Sequence, residues 1–164
     1  MKPEIRAIFL LVFLGCASLI GYALYLQLVK NLLPCPLCVV QRVAYWLVGL
    51  IALSAFFHSP GNVGRRIYSG TIAVFAFAGA VVALRQSWLV RYPEAFECGI
   101  SPEEKFLNAL PIVQWWPNMF EANGDCTDAT WEFALLKLPD WSALFFVIFG
   151  SIAVYAFFAS RRRY

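Results

Sequence analysis

Charge is scarce in this chain: only 14% of its 164 residues are Asp, Glu, Lys or Arg, while 61% are hydrophobic and 17% aromatic. That excludes an ordinary soluble domain, which carries about 25% charged residues. Histidine is scarcer still, with His58 alone. Acidic residues are almost confined to one region, since nine of the ten lie between Arg91 and Asp140. What is abundant is the long apolar run. A helix crosses a bilayer with about 20 mostly apolar residues, and four stretches approach that length: 7–29, 39–57, 67–84 and 141–159. These predict an all-α membrane protein, a single integral-membrane domain over residues 1–164 built as a bundle of four transmembrane helices. Gln41 and Arg42 interrupt the first turn of the second stretch, where an arginine can snorkel to the interface. The first stretch follows Lys2 and Arg6 and holds Phe-Leu-Gly-Cys at 13–16, loosely like a lipoprotein cleavage site. Its apolar run continues through Leu28, so it reads as an anchor that stays in the membrane. Cys16 then reads as a small buried residue of that helix.

The distribution of cations orients the bundle. Lys2 and Arg6 precede the first stretch, Arg65 and Arg66 join the second to the third, and Arg161, Arg162 and Arg163 follow the fourth. By the positive-inside rule these ends are cytoplasmic. The opposite side receives a short loop, 30–38, and a long one, 91–140, whose only cations are Arg91, Lys105 and Lys137. The formal net charge of +3 therefore averages a basic rim and an acidic loop. It offers nothing to suggest a nucleic-acid partner.

On this topology four of the five cysteines share one compartment: Cys35 and Cys38 in the short loop, Cys98 and Cys126 in the long one. Disulfides persist in oxidising compartments such as the bacterial periplasm, so two outward pairs read as two disulfides. A zinc site prefers closely spaced ligand pairs, whereas 27 residues separate Cys98 from Cys126 and His58 lies on the other side; no metal is expected. A Cys98–Cys126 bridge alone would suit a structural staple, because closing a long loop restrains the unfolded chain. A Cys35–Cys38 ring restrains almost nothing, and small strained rings make good oxidants. Arg42, four residues beyond Cys38, would share its helical face. There it would favour a thiolate, together with the positive end of the helix dipole. The competing reading is an arginine that only snorkels to the headgroups.

The long loop carries its own punctuation. Ser101, Pro102 and Glu104 form the cap, first position and capping box of a short helix. Ile112, Trp115, Trp116, Met119 and Phe120 suit a segment lying along the headgroup region, or packing on the loop's own core. Asn-Gly-Asp-Cys at 123–126 has turn chemistry and would present its cysteine at a loop tip.

Taken together, "CPLCVVQR" opening the second helix, "FEC" and "NGDCTDATWEF" in the second outer loop, and four spans resemble the DsbB family over nearly the whole chain. The resemblance implies an enzyme of the bacterial inner membrane, multi-pass with both termini cytoplasmic and its redox cysteines periplasmic. Such an enzyme is a dithiol:quinone oxidoreductase that reoxidises DsbA, a periplasmic thioredoxin-fold oxidase, and passes electrons to the membrane quinone pool, ubiquinone or menaquinone. It makes Cys98 and Cys126 the pair facing DsbA, Cys35 and Cys38 the pair facing quinone, and Arg42 the quinone-site arginine. Some relatives carry an acidic residue where this chain has Gln41, and some a histidine where it has Arg85 and Gln86. Two other classes compete: a paralogue or vitamin K epoxide reductase-like enzyme with a dedicated partner, and a disulfide-stapled membrane interaction protein without turnover.

Overall fold

Four long helices carry the chain, in a computed structural model that describes residues 3–92, 113, 115–120, 122, 124, 132–133 and 136–159. They are α1 (Pro3–Lys30), α2 (Pro36–His58), α3 (Asn62–Arg91) and, after a short turn α4 (Pro117–Phe120), α5 (Leu138–Ala159). Each of the four is long and apolar enough to cross a membrane. Just before α5 stands a feature the sequence did not suggest. Strands β1 (Glu132–Phe133) and β2 (Leu136–Lys137) pair antiparallel, Glu132 opposite Lys137 and Phe133 opposite Leu136.

The packing is that of a protein built for lipid. Its helix contacts are lined by small residues, with Ala52, Ala55, Ala76 and Ala83 fully buried. Large apolar side chains such as Leu11, Phe57, Val74 and Val81 face outward. Because lipid tails are as apolar as leucine, helices in a bilayer associate by close backbone approach, which small residues permit. α3 lies most extensively against α5, α1 against α2, and α2 against α3. Gly79 shows how tight the α3–α5 contact is: a Cβ there would lie 2.6 Å from the Phe146 ring. Phe146 is itself fully buried and stacks on Tyr45 of α2 with centroids 4.0 Å apart. The Tyr45 hydroxyl donates to the Ser142 carbonyl at 3.1 Å, so one side chain ties α2 to α5 by ring and by hydroxyl. Cys16 is buried in this core beside Gly49, as a small apolar residue would be.

The helices overrun the apolar stretches because polar groups secure their ends. α2 begins at Pro36 rather than at 39, with proline in the first turn and Cys35 as its extended N-cap. A first-turn proline forfeits no helical hydrogen bond. α3 continues past 84 to Arg91, whose guanidinium pairs with Asp140 in the first turn of α5 at 2.8 Å. Ser87 also bonds Asp140, and Asp140 accepts the Lys137 backbone N–H at 3.0 Å, so the end of α3 and the start of α5 are clamped together. At the opposite end Arg6 of α1 reaches the Phe56 carbonyl of α2 at 3.1 Å and lies over the Phe56 ring. Two short connections set the order of the bundle. Asn31 ends α1 with φ 54°, and Ser59 ends α2 with φ 45°, the left-handed conformation common after a helix C-terminus.

Candidate functional site

Cys35 and Cys38 stand at the N-terminus of α2, and their sulfurs are 2.8 Å apart. The geometry follows from local sequence. Cys35 takes the N-cap position usually filled by serine or aspartate, and its sulfur accepts the Cys38 backbone N–H at 3.3 Å. Both sulfurs therefore lie where unpaired backbone N–H groups and the helix dipole favour negative charge. Cys35 is buried and Cys38 only partly so.

Around the dithiol the structure gathers polar side chains from three helices, in a region otherwise apolar. Gln86 of α3 is buried, and its Nε2 donates to Cys38 Sγ at 3.0 Å and to Cys35 Sγ at 3.2 Å. Gln41 of α2, also buried, donates its own amide to Gln86 Oε1 at 2.6 Å. Arg42 is only 6% exposed. Its Nη1 donates to Gln27 Oε1 of α1 at 2.8 Å and to the Met119 carbonyl at 3.4 Å. The guanidinium thus turns into the bundle rather than snorkelling toward headgroups.

Two parts of the long loop return to this end of the bundle. Met119 of α4 is 1% exposed and belongs to the core, so it plugs the bundle instead of lying along the headgroups. Trp115, at 90% exposure, faces outward, while Trp116 approaches Trp46 of α2 with centroids 6.4 Å apart. The second return is at Gly124, whose N–H donates to the Pro34 carbonyl at 3.0 Å. A Cβ on Gly124 would lie 2.3 Å from the Leu33 carbonyl oxygen. Only glycine allows so close an approach, because a side chain would collide with backbone.

Of the residues singled out from sequence, the structure brings Cys35, Cys38 and Arg42 together. Cys98 and Cys126 lie outside the described residues, as do Ile112 and the helix expected to open at Ser101. Gln27 and Trp46 were not anticipated, and Gly124 was read only as part of a turn, not as the point where the loop docks. Gln86 stood out only as a departure from some relatives, and Gln41 as that and as an interruption of the second apolar stretch.

The family resemblance implies a quinone, and the residues at this mouth fit one. The Trp46 indole Nε1 is buried with no hydrogen-bond partner among the described residues. It stands four residues beyond Arg42, one turn further along α2. A buried donor beside a buried guanidinium, under aromatic Trp116, suits a flat ring with carbonyl oxygens.

This combination defines a four-helix membrane protein with a vicinal dithiol at a helix mouth. A family profile described as "Disulfide bond formation protein DsbB" matches residues 5–156. The "Disulfide bond formation protein B" of Nitrosospira multiformis is 72% identical over 155 residues, covering 94% of this chain and 92% of that protein. The protein of the same name from Nitrosomonas eutropha is 68% identical over 148 residues, 90% of this chain and 91% of its own length. That of Azoarcus sp. is 42% identical over 159 residues, 96% and 95% respectively. The chain belongs to the DsbB family of disulfide bond formation proteins.

Proposed function

We propose that this protein is a single integral-membrane domain over residues 1–164 that generates disulfides in the bacterial periplasm and passes the electrons to quinone. The observation that carries the reading is the Cys35–Cys38 pair, with sulfurs 2.8 Å apart at a helix N-terminus and the buried Arg42 one turn beyond. A DsbA-like thiolate attacks Cys98 of a Cys98–Cys126 disulfide, forming a mixed disulfide and releasing Cys126 as thiolate. Cys126 then attacks Cys35, and the electron pair of the Cys35–Cys38 bond leaves on Cys38. Thiol–disulfide exchange expels the sulfur whose thiolate is better stabilised, and Cys38 has Arg42 on its helical face. Docking of Gly124, two residues before Cys126, on the Leu33–Pro34 backbone supports delivery of Cys126 to Cys35.

A bound quinone supplies the acceptor for two electrons and two protons. Arg42 and the Trp46 indole N–H would hold its carbonyl oxygens, and Arg42 would stabilise negative charge there. Gln27 and the Met119 carbonyl keep the guanidinium aimed into the bundle rather than toward lipid headgroups. Met119, packed in the core, keeps water from the mouth.

Purified protein supplied with reduced DsbA is expected to reduce quinone, and Cys98→Ser or Cys38→Ser to abolish the reaction. A parental protein that oxidises no thioredoxin-fold dithiol would leave only a stapled membrane protein. The proposed sides of the membrane have their own check. The ends of α1 and α2 joined by Arg6 and Phe56 share the basic rim, so alkaline phosphatase fused after Tyr164 is expected to be inactive. Active enzyme there would put the four cysteines on the wrong side.

A further inference from the structure

We infer that Gln86 is a catalytic residue of the inner pair: its amide stabilises the sulfur charge released when the Cys35–Cys38 bond opens, and Gln41 sets the direction in which that amide points. The inference rests on the reading of Cys35–Cys38 as a working redox pair and deepens it.

The geometry is unusual for a buried glutamine. An amide has two donors and one carbonyl acceptor, and here each face has a single assignment. Gln41 Nε2 occupies the Gln86 carbonyl oxygen at 2.6 Å. The Gln86 amide nitrogen is thereby left to the sulfurs and reaches both, at 3.0 Å and 3.2 Å. Gln86 and Gln41 are 4% and 6% exposed, so water does not compete for these groups. A buried amide among apolar side chains is costly unless its hydrogen bonds are made. Here Gln41 makes its bond on Gln86, and Gln86 makes its own on the reacting atoms.

The chemical consequence concerns one step. When an incoming thiolate attacks Cys35 Sγ, a new S–S bond forms, the Cys35–Cys38 bond breaks, and its electron pair departs on Cys38 Sγ. Arg42 acts on that charge from its own helix, and a guanidinium supplies charge at a distance. Gln86 supplies a directed N–H at contact distance, from the neighbouring helix. Its bond to a neutral sulfur is weak and its bond to a thiolate is stronger, since hydrogen bonds to ionised partners are roughly twice as strong as neutral ones. The interaction therefore grows along the reaction, as catalysis requires. It also bridges the two sulfurs, so it holds Cys35 and Cys38 side by side while neither is bonded to the other.

The test is the rate at which Cys38 of the fully reduced protein reacts with iodoacetamide at pH 7, mapped by mass spectrometry. That measurement needs no quinone. Gln86→Leu is expected to slow alkylation of Cys38 about tenfold, the loss of one charge-assisted hydrogen bond. Gln86→Glu, of the same size but with no donor facing the sulfurs, is expected to slow it further. Gln86→His, which keeps an N–H donor, is expected to recover most of the rate. Cys16, buried in the core, reports folding because it stays unmodified in an intact bundle. Should Gln86→Leu expose Cys16, Gln86→Met, close to glutamine in length and without charge or N–H donor, decides the question. Rates within twofold of the parent in the Leu and Glu variants, with Cys16 protected, would make Gln86 a packing residue and overturn the inference. DsbA-driven quinone reduction by the parent is measured in parallel. Its absence would remove the proposed function, while the alkylation ratios would still decide the role of Gln86.

Discussion

Replacing Gly124 with alanine is expected to slow electron transfer from the outer cysteine pair to the inner one by about a hundredfold, the penalty that misplacement of a reacting group by about 1 Å can carry. The added Cβ would lie 2.3 Å from the Leu33 carbonyl oxygen and 2.8 Å from its carbon. Both are backbone atoms of the connection that leads into the Cys35 cap, so they have no side-chain freedom with which to yield. The loop must lift, and the Gly124–Pro34 hydrogen bond of 3.0 Å is lost with it. Because Gly124 stands two residues before Cys126 in the chain, on the proposed relay the same displacement would withdraw that cysteine from Cys35. The defect is confined to that handover. Dithiothreitol, which is small enough to reduce the inner pair without the loop, is expected to drive quinone reduction at close to the parental rate. The measurement is stopped-flow quinone reduction with each reductant. Equal slowing with both would mean that Gly124 shapes the inner site itself, and no slowing with reduced DsbA would mean that the loop hands over electrons without docking here.

Arg42→Met is expected to lower quinone reduction by about 10²-fold, the usual cost of removing a group aimed at developing charge, and to raise the quinone concentration needed for half-maximal rate. Methionine keeps most of the volume and leaves the packing against Met119 largely intact, so the loss reports charge and hydrogen bonding. Exchange between DsbA and the outer pair is expected to continue, because its chemistry is completed before electrons reach α2. The variant should therefore accumulate protein whose inner pair is reduced, visible by thiol labelling of Cys35 and Cys38. Parental turnover across a wide quinone range would reduce Arg42 to a packing residue held by Gln27 and Met119.

How much of this was legible beforehand differs from element to element. The four helices were, because about 20 apolar residues in a row have one low-energy solution in a bilayer, where every backbone group must be satisfied within its own segment. Their ends were not. The start of α2 depends on Cys35 as a cap and the end of α3 on the Arg91–Asp140 pair, which joins residues far apart in sequence. The dithiol and its neighbour Arg42 could be read from spacing along one helix, since positions four apart share a face. Two readings of Arg42 nonetheless remained open, and spacing could not choose between them. The choice came from Gln27 on α1 and the carbonyl of Met119, which turn the guanidinium inward. For Met119 too, two readings stood open, along the headgroups or on the loop's own core, because a hydrophobic segment next to tryptophans carries no sign of whether it lies along a surface or enters a core.

By itself the sequence determined that this protein lives in a membrane, crosses it four times, and bears a vicinal dithiol at the mouth of the second crossing; these are properties of composition and of neighbours along one chain. Only the tertiary structure decided what meets that dithiol. Gln86 lies 48 positions from Cys38 in sequence yet donates to it at 3.0 Å, and Gly124 docks against a carbonyl 90 positions earlier. Such contacts arise from how helices pack side by side and where a loop comes down. They depend on small residues such as Gly49 and Gly79 that set the spacing between helices, and no local pattern encodes them.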